Sequence, residues 1–76
     1  MELEKFIEYF GEQFEETDAS KFKADTVFSE LVEWSSFTSL SIISMVDEEY
    51  NIKIKGDDIR KSKTINDLYE IVKSRA

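Results

Sequence analysis

The chain has 76 residues, no cysteine and no histidine, with 17 acidic side chains against 10 basic ones and a net charge of −7. That length gives one small domain, expected to span 1–76, with a modest core and no room for a deep walled cleft. Missing thiols and imidazoles exclude disulfides, thiolate nucleophiles and the commonest metal ligand, and the acidic balance excludes phosphate-driven nucleic-acid binding. No catalytic or metal-binding residue is expected.

Leu3, Phe6, Ile7, Phe10 and Phe14 recur at helical spacing, with Glu2, Glu4, Glu8, Glu12, Glu15 and Glu16 on the other side. This predicts a first helix that runs past Gly11 despite a cost there of about 1 kcal/mol relative to alanine. The acidic opening Met1-Glu2-Leu3-Glu4 does not read as a basic-then-apolar signal, and no run is long enough to span a membrane. A cytoplasmic protein is the expectation.

Periodicity fades from Thr17 to Ser35. Asp18, Ser20, Asp25 and Thr26 are turn formers, and Phe22, Val27, Phe28 and Leu31 are apolar anchors. One short helical turn is expected near Val27–Leu31, capped by Asp25 or Thr26. A second main helix starts at Ser35 or Ser36 and runs to about Asn51. Ser35 suits its N-cap. Phe37, Leu40, Ile43, Val46 and Tyr50 read as its buried stripe, with Ser36 pointing out while Phe37 points in. Asp47, Glu48 and Glu49 gather near its end, where the helix dipole disfavours them. They read as a solvated face or as a docking surface for a basic partner. The charge excess further predicts a fold that gains stability as pH falls from 7 toward about 5.

Asn51 to Gly56 alternates like a strand but has no second strand to pair with. It reads as an extended connection with Ile52 and Ile54 turned inward. Asp57 to Lys61 forms a short helix capped by Gly56 or Asp57. Thr64-Ile65-Asn66-Asp67 is a capping arrangement. It opens a last helix with Ile65, Leu68, Ile71 and Val72 inside, and Lys73 and Arg75 placed to suit its C-terminal dipole. The expected fold class is all-α: a bundle of three main helices plus one short helix, with a long loop after the first.

This layout resembles the acyl carrier proteins and related phosphopantetheine-carrying domains. The likeness covers essentially the whole chain, with no gap from Phe28 to Val72. Ser35-Ser36-Phe37 stands where the family has Asp-Ser-Leu at the start of its second helix. Leu40, Ile42, Ile43 and Val46 follow, then Asp47-Glu48-Glu49-Tyr50. Gly56-Asp57-Asp58-Ile59 and Thr64-Ile65-Asn66-Asp67-Leu68 fall at the family's third and fourth helices. Thr38-Ser39-Leu40 offers a rival register, with Ser39 as the attachment residue. It shortens the distance to Glu48-Glu49-Tyr50 by one helical turn and lengthens that from Phe28, so Ser36 fits better.

The resemblance implies a non-enzymatic carrier. A phosphopantetheinyl transferase would move 4′-phosphopantetheine from coenzyme A onto Ser36, and acyl groups would ride on its thiol as thioesters. Phe28, Val46, Ile54, Ile59 and Ile65 would line an acyl shelter. Phe37, Asp47, Glu48 and Glu49 would meet acyl-loading and acyl-processing enzymes with basic docking surfaces. A monomer is expected. Ser35 replaces the family's Asp, and Thr38, Ser41 and Ser44 stand where better-known relatives often carry acidic groups. The less negative face suggests dedicated partner enzymes of a lipid, fatty-acid or polyketide-type pathway, whereas the Ser35 departure favours a non-carrying alternative. The alternative is a non-carrying acidic helical module that binds a basic partner protein.

Overall fold

The helices turn their buried faces to one shared core in the computed structural model, which describes residues 2–76. Met1, part of the acidic opening, lies outside the described residues. Four helices follow in order: α1 (Leu3–Gly11), α2 (Ser36–Tyr50), α3 (Gly56–Arg60) and α4 (Ile65–Ser74). Two 3-10 turns, Ala19–Lys21 and Phe28–Glu30, punctuate the long loop between α1 and α2. No strand forms among the described residues. One isolated antiparallel bridge joins Val27 to Thr64. Beside it the Ile65 N–H donates to the Thr26 carbonyl at 3.1 Å and the Asn66 N–H to the Ala24 carbonyl at 2.9 Å. The loop is thereby tied to the start of α4. The all-α class expected from periodicity is what the chain adopts.

Helix α1 stops at Gly11 rather than running on. Glycine is a weak helix former, and here it is also needed for space. A Cβ at Gly11 would lie 3.0 Å from the Phe22 ring. Phe14 still reaches the core from the turn beyond, 4.9 Å from Phe22 between ring centroids. An apolar stripe can therefore outlast its helix.

The 3-10 turn at Phe28–Glu30 starts from Val27 without a side-chain cap, so neither Asp25 nor Thr26 performs that role. Thr26 braces the preceding loop instead. Its hydroxyl accepts the Lys23 N–H and donates to the Lys21 carbonyl, both at 2.8 Å. The turn at Ala19–Lys21 is held by two of the expected turn formers, Asp18 accepting the Ser20 N–H at 3.0 Å.

Helix α2 keeps its expected limits. It ends at Asn51, which adopts the left-handed conformation (φ 55°, ψ 39°) that asparagine tolerates better than most residues. Ile52 and Ile54 then turn inward on an extended connection, as the alternation required. The N-cap of α3 is Lys55, not Gly56 or Asp57. Its N–H is taken by the Asp58 carboxylate at 2.9 Å. In α4 the Thr64–Asp67 capping box forms as expected, with Thr64 and Asp67 each accepting the other's backbone N–H at 3.1 and 2.9 Å.

The core is mainly aromatic on the α1 side and aliphatic on the α4 side. Phe6 meets Tyr69 edge-on at 5.5 Å, and Phe10 lies 5.6 Å from Phe28. Ile65, Leu68 and Val72 of α4 are fully buried, while Ile71 is half-buried. Burying one such side chain contributes about 1.5–3 kcal/mol. Arg75 does not serve the C-terminal dipole of α4. It reaches back to Asp58 in α3 with two bonds of 2.7 Å.

Candidate functional site

The local chemistry at the start of α2 is a division of labour among hydroxyls. Ser35 stands just before the helix in extended backbone, and its oxygen accepts the Thr38 N–H at 3.3 Å. The Thr38 hydroxyl donates back to the Glu33 carbonyl at 2.8 Å. Ser35 thus performs the side-chain cap without Ser36. The Ser36 side chain is exposed at the first helical position, and its hydroxyl has no hydrogen-bond partner among the described residues. Ser39, the alternative, sits one turn in and is half-buried.

Trp34 fixes this end of the helix to the core. Its ring lies 4.8 Å from Phe28, 6.4 Å from Phe14 and 6.5 Å from Phe10. On the solvent side the N–H groups of Ser36 and Phe37 are left unbonded, as expected at a helix N-terminus. The arrangement presents a free hydroxyl on a rigid base, beside donors suited to an anion. It therefore has room and donors for a phosphodiester on Ser36.

The predicted stripe of α2 is corrected. Phe37 does not point inward; it is 76% exposed, and Leu40 is 62% exposed. The buried positions are Ile42, Met45 and Val46. Ile43 and Tyr50 are half-buried. The reason is geometric. A strict three-residue step falls about 60° short of a full turn in a helix of 100° per residue, so Phe37 and Val46 lie about 180° apart. They cannot share one face. The stretch 42–46 keeps the i, i+3, i+4 pattern and is the face that packs.

Exposure suits the docking role expected of Phe37. Phe37 and Leu40 line a shallow cleft together with Gln13, Met45, Glu48 and Glu49. Asp47 is drawn aside, because Lys53 holds its carboxylate at 2.9 Å. Glu48 and Glu49 keep their charges exposed. The exposed residues of this face thus form an apolar ledge beside Ser36 and an acidic end farther along α2.

Phe28, Val46, Ile54, Ile59 and Ile65, expected around an acyl shelter, are all buried members of the one core. They come together as packed neighbours of that core.

Two groups escaped the sequence reading. One is Glu33, whose carboxylate accepts from Glu15 N–H, Glu16 N–H and the Thr17 hydroxyl. The Thr17 hydroxyl, followed by the two N–H groups, holds the Glu33 carboxyl below its ordinary range. The other is the Asp58–Arg75 pair. The Arg75 guanidinium, aided by the Lys55 N–H, holds Asp58 down to about 2. Both depend on residues distant in sequence and have no local signature. Among the described residues no helix is long and apolar enough to cross a membrane. Comparison with protein-family models, characterised proteins and solved structures gives no match to the chain.

Proposed function

We propose that this chain is a carrier protein of the acyl-carrier type, with Ser36 as its attachment residue. The observation that carries the reading is the free Ser36 hydroxyl at the first turn of α2, with Ser35 performing the cap. A serine that was only a cap would have its oxygen on a backbone N–H. In the transfer, Ser36 Oγ bonds to the pantetheine-side phosphorus of coenzyme A as the pyrophosphate linkage breaks. Adenosine 3′,5′-bisphosphate leaves, and the hydroxyl proton passes to the transferase. The thiol of the bound 4′-phosphopantetheine supplies the thioester chemistry that a chain without cysteine lacks.

The exposed Phe37–Leu40 ledge and the charges of Glu48 and Glu49 are the surface by which partner enzymes approach. The acidic end favours partners with basic docking surfaces. Because Phe28, Val46, Ile54, Ile59 and Ile65 are closely buried, sheltering an acyl chain among them requires α2 and α3 to part. The chain acts as a cytoplasmic monomer, and its dedicated partners belong to a lipid, fatty-acid or polyketide-type pathway.

One observation favours a second reading, a non-carrying acidic module for a basic partner. Ser35 leaves the residue before Ser36 without a carboxylate, and the ledge can dock a partner without any arm. Intact mass after incubation with coenzyme A, magnesium and a promiscuous transferase decides between them. The carrier reading requires the wild type and Ser39→Ala to gain one arm and Ser36→Ala to gain none. A wild type of unchanged mass leaves the second reading. An arm on Ser36→Ala but not on Ser39→Ala moves the site to Ser39.

A further inference from the structure

The geometry points to Glu33 as the positioning residue that holds Ser36 in place, a role that rests on the carrier reading. The Glu33 carboxylate accepts the Glu15 N–H at 3.2 Å, the Glu16 N–H at 3.0 Å and the Thr17 hydroxyl. Those donors lie just beyond α1, where the chain has left the helix and the two N–H groups have no backbone acceptor. The main chain of Glu33 reaches the other way. Its carbonyl accepts the Thr38 hydroxyl at 2.8 Å. Thr38 is the third residue of α2, and its N–H is already held by Ser35. One residue therefore joins the exit of α1 to the first turn of α2, with Ser36 inside the span.

Trp34 closes the frame from below by packing on Phe10, Phe14 and Phe28. Ser36 has no side-chain bond of its own among the described residues. Its place relative to a docked transferase is set by this frame. Reaction rates depend steeply on such placement, since an error of about 1 Å can cost about 100-fold. Glutamine at position 33 removes the charge and leaves a single acceptor oxygen, so the three bonds cannot all be kept.

The test uses the full chain as wild type, Glu33→Gln and Glu30→Gln. Glu30 is exposed and forms no side-chain bond among the described residues, so its variant makes the same charge change outside the clamp. Two quantities are measured: kcat and KM for arm transfer by one transferase, and amide exchange at residues 15, 16, 38 and 39. For Glu33→Gln, kcat falls by about 10- to 100-fold while KM stays within about twofold, as misplacement rather than lost docking demands. Exchange accelerates about tenfold at Glu15 and Glu16 and also rises at Thr38 and Ser39, the cost of losing bonds to a charged acceptor. Glu30→Gln behaves as wild type. Equal kcat in wild type and Glu33→Gln overturns the inference, and so does an equal loss in Glu30→Gln. A wild type that takes no arm sinks the carrier reading instead. The clamp is then judged by exchange alone: unchanged rates at 38 and 39 overturn it, and faster rates uphold its hold on α2.

Discussion

Asp58→Asn tests the pair that fastens α3 to the end of α4. The Asp58 carboxylate accepts two bonds from Arg75, each 2.7 Å, and one from the Lys55 N–H at 2.9 Å. Asn keeps the shape and one acceptor oxygen for the Lys55 N–H, but removes the charge and the second oxygen that Arg75 bonds. Arg75, together with the Lys55 N–H, lowers the Asp58 pKa from 3.8 to about 2. At about 1.36 kcal/mol per unit this corresponds to about 2 kcal/mol at most. Asp58 is 7% exposed, but 42% of the Arg75 side chain faces water. Screening there reduces the contribution to about 1–2 kcal/mol. In a domain of this size that lowers the melting midpoint by about 5–15 °C. The folded-state pKa lies below the unfolded value, so the contribution is complete above 3.8 and is lost as pH falls toward 2. Thermal melts of both proteins from pH 7 to pH 2 should show a gap that is wide at neutral pH and narrows below about pH 4. A gap under about 2 °C at pH 7, or one constant down to pH 2, refutes this account.

Phe37→Ala should change stability by less than about 0.5 kcal/mol because the ring is exposed, whereas Ile42→Ala should cost about 2–5 kcal/mol. Urea unfolding of the two variants distinguishes the packed face of α2 from the one its three-residue stripe suggests. Gly11→Ala should destabilise by about 1 kcal/mol although alanine is the better helix former, because its Cβ meets the buried Phe22 ring at 3.0 Å. A more stable variant in the same assay would show that the ring yields. Transferase affinity should weaken with added salt, since the Glu48 and Glu49 charges are exposed and screened over about 8–10 Å. Titration at several salt concentrations checks this, and a flat affinity excludes ionic docking.

What the sequence revealed were features set by near neighbours. Ser35 caps α2, and Thr64 with Asp67 boxes α4, because donor and acceptor lie three residues apart. Chain order alone finds such pairs. The inward turn of Ile52 and Ile54 was readable from alternation. The face of α2 is not legible in this way, because its apolar residues are spread around the helix and a run of threes is not a stripe. The need for glycine at the end of α1 is not legible either, because the ring that leaves no room for a Cβ at Gly11 is Phe22, eleven positions on. The hydroxyl of Ser36 was legible, but its frame was not. Glu33 binds residues 16 to 18 positions earlier, and Asp58 binds one 17 positions later. Such contacts exist only once the chain has folded, and neither residue type nor spacing announces them.

The charge excess suggests a fold strained by its own carboxylates and relieved by acid. The bonding reverses that sign. The Ser20 N–H holds the Asp18 carboxyl low, the Thr17 hydroxyl holds Glu33, Arg75 holds Asp58, and the Thr64 and Lys63 N–H groups hold Asp67. These groups are hydrogen-bond acceptors within the fold, and each bond is stronger to the ionised form. Their folded-state pKa values lie below the unfolded ones, so the folded chain binds fewer protons than the unfolded chain in the acid range. Their contribution is complete above the ordinary values of 3.8 and 4.5. It is lost as pH falls through the lowered ones. Stability should therefore be nearly level from pH 7 to about 5.5 and should decline below about pH 4.5. Melts at pH 7, 5.5 and 3.5 in low salt test this directly. A midpoint that rises steadily toward pH 3.5 would refute this, because repulsion among the carboxylates would then outweigh these bonds.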